Sequence, residues 1–389
     1  MTLPQALQAA ETNSPTLRAA QFQSKEAWES YLSAQHIPPL TLTIGALTGS
    51  NTIVTTNGLS YDVNVQLQQE FGPINNQAWQ ARVAQRAWEA AEANVVETRA
   101  TLVQNVKDAF YGLLVAQENR TLAKETLDLA NDIYEKSKKR YDAGAGPRMD
   151  LVSAQIQLAS SQQAMLTAQS AVNQAHITLD GLLAPQTSGE LEGSMVLPDV
   201  PTDLDKLTRL AHDTRGLMRS AQANVQQALD QVHQVGSLRN PSPSFFFDYD
   251  LVNTSLYSYG LNISIPIVDW GQLRHQIRNA RETVGEKRAN LEQTTINIDG
   301  AVAAALDNYR TALQNASTFQ TQVLEPSETL MKMTQAGFDK GALTYLQVLT
   351  AEQTLKGARA QYESLLQSGH QALDALEASV GTTLEGDHR

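Results

Sequence analysis

The sequence predicts a mainly α-helical chain with a small β part that belongs to a barrel: two β-hairpins set into long helical hairpins that occur twice. Three observations carry that expectation. Residues 59–71, LSYDVNVQLQQEF, alternate Leu59, Tyr61, Val63, Val65, Leu67 and Phe71 with Ser60, Asp62, Asn64, Gln66, Gln68 and Glu70. A second run at 257–267 sets Tyr257, Tyr259, Leu261, Ile263, Ile265 and Ile267 against Ser258, Gly260, Asn262 and Ser264. Period two means an extended strand with one apolar and one polar face. Third, the remaining sequence is rich in Ala and Gln and repeats its order of elements.

Taken in order, a helix runs from Leu3 to Gln35, interrupted near Asn13-Ser14-Pro15, and His36-Ile37-Pro38-Pro39 ends it because consecutive prolines cannot continue a helix. The first hairpin, 39–72, begins with the weaker alternation Leu40, Leu42, Ile44, Ala46 and turns through 49–58. Gly72-Pro73 closes it. A helix of about 65 residues then reaches Tyr141, on the order of 100 Å at 1.5 Å per residue. Its residues Leu102, Val106, Ala109, Leu113 and Ala116 form the seam of helices packed side by side. A tip turn at 142–148 breaks it, and a helix returns from Arg148 to Leu183.

A Pro- and Gly-containing linker, 185–201, divides the chain into repeats 1–190 and 191–389. The second repeat reads as a helix over 203–235, a hairpin over 244–267 with Phe245, Phe247, Tyr249 and Leu251, a helix over 271–338 kinked at Pro326, a tip turn at 339–343, and a returning helix over 344–380. An offset of 197 pairs Tyr141-Asp142-Ala143-Gly144 with Phe338-Asp339-Lys340-Gly341, Ala154 with Ala351, and Leu179 with Leu376. An offset of 201 pairs Leu3 with Leu204, Ala10 with Ala211 and Ala20 with Ala221. Matches that keep their order read as an internal duplication.

The totals exclude several classes. The 29 basic and 41 acidic residues give a net charge of −12, which disfavours nucleic acid as a partner. The absence of cysteine removes disulfides, thiol catalysis and Cys-type zinc sites. No run of about 18 apolar residues is present, so no transmembrane helix is expected, but strands of about 10 residues can still cross a bilayer. MTLPQALQAA lacks a basic segment followed by an apolar one, so the expectation is a chain whose export signal has been removed.

Four strands cannot seal themselves in lipid. Unpaired edge N–H and C=O groups cost several kcal/mol each there, and closed membrane barrels begin at about eight strands. The barrel must therefore be shared between copies, two giving eight strands and three giving twelve. Long helices from several copies would bury their apolar stripes in a common wall, a packing suited to many alanines and only 6% aromatic residues.

Specific residues carry a family resemblance. Leu3-Pro4-Gln5-Ala6-Leu7 followed by Asn13-Ser14-Pro15-Thr16-Leu17 resembles the opening of the TolC-type outer membrane efflux proteins. Arg140-Tyr141-Asp142-Ala143-Gly144 with Asp150-Leu151-Val152-Ser153-Ala154-Gln155 is similar to that family's first tip turn, and Gly341 with Leu346-Gln347-Val348-Leu349-Thr350-Ala351 to its second. Tyr259-Gly260-Leu261 through Trp270-Gly271 resembles its last strand and helix entry. The likeness covers nearly the whole chain. It implies a homotrimer with a twelve-stranded barrel in the outer membrane, continued by an α-helical tunnel in the periplasm. It also implies partners: outer membrane lipid, a periplasmic membrane-fusion adaptor, and an inner-membrane pump that supplies the energy to a passive exit duct of a tripartite efflux system.

Gly144 and Gly341 read as left-handed helix ends. The resemblance makes the turns that hold Gly144, Gly146, Arg148, Gly341 and Leu343 an adaptor contact as well. Asp150 either complements the helix dipole in its first turn or, repeated by symmetry, narrows the pore. Family members often carry acidic residues in the second tip helix; here the matching positions are Gln347 and Thr350, and Gln347 has the spacing of a capping box with Thr344. Tyr61, Val63, Val65, Tyr259, Leu261 and Ile263 are expected to face lipid, and Asn64, Gln66, Asp248 and Asn262 the lumen. Trp79 and Trp270 follow the strands, as membrane-interface anchors or as ordinary helix-packing residues.

No enzyme is expected. The seven histidines show no metal-ligand spacing, and no nucleophile elbow or phosphate loop is present, so neither metal nor cofactor is expected. An outer membrane channel competes with a soluble coiled-coil scaffold or adaptor, and within the channel class drug, metal-ion and type I protein export remain open.

Overall fold

A computed structural model describes residues 1–48, 61–144, 146–183, 191–250, 257–339, 343 and 345–384. The chain is mainly helical, with one four-stranded sheet. In order it runs α1 (Leu3–Asn13), α2 (Pro15–Gln35), β1 (Thr41–Thr48), β2 (Tyr61–Glu70), α3 (Asn76–Asp142), α4 (Arg148–Leu183), α5 (Leu204–Thr214), α6 (Gly216–Ser237), β3 (Ser242–Asp250), β4 (Tyr257–Ser264), α7 (Gln272–Phe319), a π-helical turn (Gln320–Leu324), α8 (Glu325–Asp339) and α9 (Tyr345–Val380). The expected polar turn at 49–58, Pro185, Leu251, Gly341 and Thr344 lie outside the described residues.

The chain divides into two compact units, each drawn from both halves of the sequence. One comprises Ala19–Val96 and Gly216–Ile296 and contains the sheet. Its strands are antiparallel in the order β1-β2-β3-β4, so the central β2–β3 pairing joins the two hairpins. Below the sheet the two strand ends are stitched together. Phe71 N–H donates to the Pro243 carbonyl at 3.1 Å, Ile74 N–H to that of Pro241 at 3.0 Å, and Asn240 Nδ2 returns to the Ile74 carbonyl at 2.7 Å. Asn76 Nδ2 then donates to Ser237 Oγ at 2.9 Å, fixing the start of α3 beside the end of α6.

The other unit comprises Met1–Arg18, Glu97–Arg215 and Asn297–Arg389. Its core draws buried side chains from α3, α7 and α9. Of the expected seam, Leu102, Val106 and Leu113 are buried, but so are Phe110, Tyr111, Leu114 and Val115, so α3 is covered over more than the one expected stripe here. Burying a side chain such as Phe110 or Leu113 contributes about 1.5–3 kcal/mol. The extra cover comes from residues 191–202, which lack regular structure yet pack closely. A side chain on Gly193 would meet the Phe110 ring at 3.2 Å, the Tyr309 hydroxyl donates to the Pro198 carbonyl, and Arg310 donates to that of Thr202.

Three features differ from the sequence expectation. The helix expected over 203–235 is two helices, broken at Arg215, whose N–H still donates to the Ala211 carbonyl while its backbone turns extended. The corresponding break at Ser14 is self-capped: Ser14 Oγ accepts from Leu17 N–H at 3.3 Å, ahead of Pro15 at the first helical position. The strand expected to reach Ile267 ends at Ser264, because Pro266 has no N–H to give a ladder. The long helix expected over 271–338 is interrupted by a π-turn over Gln320–Leu324, just ahead of Pro326.

Candidate functional site

Alternation along each strand and the ladder register together sort the sheet into two faces. Cross-strand rows are Leu42–Leu67–Phe247–Tyr259 and Ile44–Val65–Tyr249–Tyr257, with Phe245 opposite Leu261 and Pro243 opposite Ile263. These apolar rows lie open in the chain by itself: Tyr259 is 69% exposed and Leu261 77%. For Tyr61 and Val63 the strand position alone is described. It puts Val63 opposite Ala46, in step with Val65. The opposite face carries Thr43, Gln66, Asp248 and Ser258 in one row and Ser244 opposite Asn262 in another, with Asn64 beside Gly45. Phe246 is the exception on that face, lying against Gly260, where a Cβ would stand 3.0 Å from its ring. Among the described residues β1 and β4 are each paired on one side only.

The two tryptophans sit differently. Trp79, in the first turn of α3, stacks on His233 with ring centroids 4.5 Å apart and receives the Arg82 guanidinium at 4.7 Å. Trp270 is 95% exposed and left-handed at φ 49°, followed by Gly271 at φ 86°. Asp269 holds this corner by accepting from Gly271 N–H at 3.1 Å and Leu273 N–H at 3.2 Å, and those bonds depress its pKa.

At the first tip, Gly144 closes α3 at φ 70° and its N–H donates to the Tyr141 carbonyl at 2.9 Å. A Cβ on Gly146 would lie 3.3 Å from that of Arg140, so the turn folds tightly back on the helix end. Arg148 is exposed at the start of α4, and Asp150 is half-buried in its first turn. A groove of about 360 Å³ at this tip is lined by Lys136, Arg140, Gly146, Pro147, Asp150 and Val348, among others. Leu343 is half-buried, crowding Gly337. Gln347 and Thr350 are exposed on either side of buried Val348 and do not line the groove with Asp150.

Sequence reasoning missed two polar clusters in the helical unit. Arg215 donates to Glu97 Oε1 at 2.7 Å and Oε2 at 3.3 Å, and to the carbonyls of Ala378 and Ser379 at 3.0 Å each. Lys107, Asp374 and Glu377 meet in the core with almost no exposure. The signals were present: a lysine inside the apolar stretch VQNVKDAFYGLLV, and His370, Asp374 and Glu377 at helical spacing on α9.

The Outer membrane efflux protein family matches this chain over residues 6–184 and 207–382. The cobalt-zinc-cadmium resistance protein CzcC of Cupriavidus metallidurans is 28% identical over 306 residues, spanning 77% of this chain and 72% of that protein. The cation efflux system protein CusC of Escherichia coli is 25% identical over 395 residues, spanning 96% and 84%. In fold, the open state of the Neisseria gonorrhoeae MtrE outer membrane channel is similar with a TM-score of 0.82 at 17% identity, over 100% of this chain and 90% of that one. Matched by the family through both halves of its sequence, the chain belongs to the outer membrane efflux proteins.

Proposed function

We propose that three copies of this chain close a twelve-stranded barrel in the outer membrane and continue as a helical tunnel in the periplasm, the passive exit duct of a tripartite efflux system. The observation that carries this reading is the sheet itself. Among the described residues it has four strands, two open edges and an exposed apolar face, an arrangement that water disfavours and that a bilayer with neighbouring sheets satisfies. Tyr61, Val63, Val65, Tyr259, Leu261 and Ile263 then face lipid, and Trp79 and Trp270 lie near the interface where the chain leaves the sheet. Repeats 1–190 and 191–389 supply one hairpin each, a division supported by the family's two matched segments.

In this reading the tips carrying Gly144, Gly146, Arg148, Gly341 and Leu343 dock onto a periplasmic adaptor, which opens the tunnel and couples it to an inner-membrane pump. Asp150, half-buried at the mouth, is the acidic group left to bias passage there, with Gln347 and Thr350 at the second tip. Cations are the favoured cargo. The net charge of −12 per chain favours them electrostatically, and the CzcC and CusC relatives are named for cation resistance and efflux. The test is reconstitution into planar bilayers: the reading expects discrete cation-selective conductance, weakened in selectivity by Asp150→Asn. A protein that stays monodisperse without detergent and passes no current contradicts it.

A further inference from the structure

The core of the helical unit holds a group of ionisable side chains with more acid than base. Lys107 on α3 is 3% exposed, and Asp374 and Glu377 on α9 are 1% and 5% exposed. Lys107 Nζ donates to Glu377 Oε2 at 2.5 Å and stands 3.5 Å from Asp374 Oδ1, too far for a hydrogen bond. Both Asp374 oxygens are buried without a hydrogen bond, as is Oδ1 of the neighbouring Asp108. One helical turn before Asp374, His370 stacks on Tyr111 at 3.8 Å, and burial lowers its pKa so that it is neutral at neutral pH. Burial raises the Asp374 pKa to about 7; Asp108 and Glu377 push it the same way, and Lys107 offsets part of the rise.

Glu377 has a second bond. Its Oε1 accepts the N–H of Leu384 at 2.7 Å, while its own carbonyl accepts that of Gly381, the left-handed residue that ends α9. The carboxylate neutralised by Lys107 is therefore the one that ties down the chain leaving α9. One buried ammonium can balance one buried carboxylate. A second ionised carboxyl leaves a net negative charge in a site poor in water, and uncompensated buried charge is costly.

We propose that Asp374 is the proton-operated release of a latch on residues 381–384. Protonated, it leaves Lys107 with Glu377 and the segment tied. When Asp374 gives its proton to water, it draws Lys107 away, Glu377 turns toward solvent, and the Leu384 N–H loses its acceptor.

The test is hydrogen exchange on the full-length protein in detergent, read as protection of the 381–384 amides relative to their intrinsic rates. Protection should fall about tenfold between pH 5 and pH 8.5, the change expected when the Asp374 carboxyl holds its proton about tenfold more tightly in the tied state than in the released one. Asp374→Asn, similar in shape and never charged, should keep the segment protected across the range. Infrared spectra supply a second readout: a protonated-carboxyl band at pH 5 that fades as pH rises through about 7 and is missing from Asp374→Asn. Protection that does not change with pH, the same fall in Asp374→Asn, or absence of that band at pH 5 each overturns the proposal.

Discussion

Phe247 and Tyr259 stand directly opposite one another across β3 and β4, in a row that continues through Leu67 to Leu42. Four apolar side chains from four strands thus line up across one face, and the polar row of Thr43, Gln66, Asp248 and Ser258 backs it. A cation placed on the apolar face of a membrane barrel costs up to about 2–4 kcal/mol at the bilayer midplane. Leu261→Arg should therefore lower the folding stability in lipid vesicles by an amount of that order, measured by urea titration. Asn262→Ser, on the other face, should leave it within about 0.5 kcal/mol.

Arg215 ties the break between α5 and α6 to two other helices. It is largely buried, and it joins Glu97 on α3 to two carbonyls at the end of α9. Removing the guanidinium breaks four hydrogen bonds at a largely buried junction. Arg215→Ala should cost about 3–5 kcal/mol in chemical denaturation. Arg215→Lys should recover only part, since an ammonium cannot make the same planar fork.

Gly260 and Phe246 form a coupled pair on the polar face. A methyl group at 260 would meet the Phe246 ring at 3.0 and 3.2 Å. Gly260→Ala should destabilise by about 1–3 kcal/mol through overpacking. The same change in a Phe246→Ala background should cost less, and the difference appears as a coupling energy in a double-mutant cycle.

Stability should respond to pH in an unusual direction. Burial raises the pKa of Asp108, Glu352, Glu363 and Asp374, so the folded chain keeps protons that the unfolded chain has released. Their contribution is full below the ordinary carboxylate range and is lost as pH rises through the folded values, about 7 for Asp374. His370 acts oppositely: with its pKa lowered by burial, it loses stability as pH falls below about 6.5. Asp374, raised to about 7, is the carboxyl that titrates between pH 5 and pH 8, and through it the melting temperature should be higher at pH 5 than at pH 8. His370→Phe, which keeps a ring beside Tyr111, should widen that difference.

How much of this was legible depended on how local the cause was. The hairpins were, because residue type alternates within one strand; so was the left-handed end at Gly144, since glycine before a returning helix has a local reason. The break at Arg215 was not. Gly216 is a weak breaker, and what holds the turn is a set of bonds to Glu97, Ala378 and Ser379, distant in sequence. The 185–201 segment read as a divider because its prolines and glycines forbid regular structure, yet its described part packs on Phe110 and Tyr309. Lys107 and Glu377 are 270 residues apart, and the spacing that puts each on a buried helix face does not say that the two meet.

The central claim is that β1 and β4 of one copy are completed by other copies. The direct measurement is the mass of the detergent-extracted particle by native mass spectrometry, with detergent stripped in the gas phase. The account predicts three times the 42.5 kDa of one chain, with no stable monomer in lipid. A single 42.5 kDa species that remains folded, its sheet edges protected from hydrogen exchange, would contradict it.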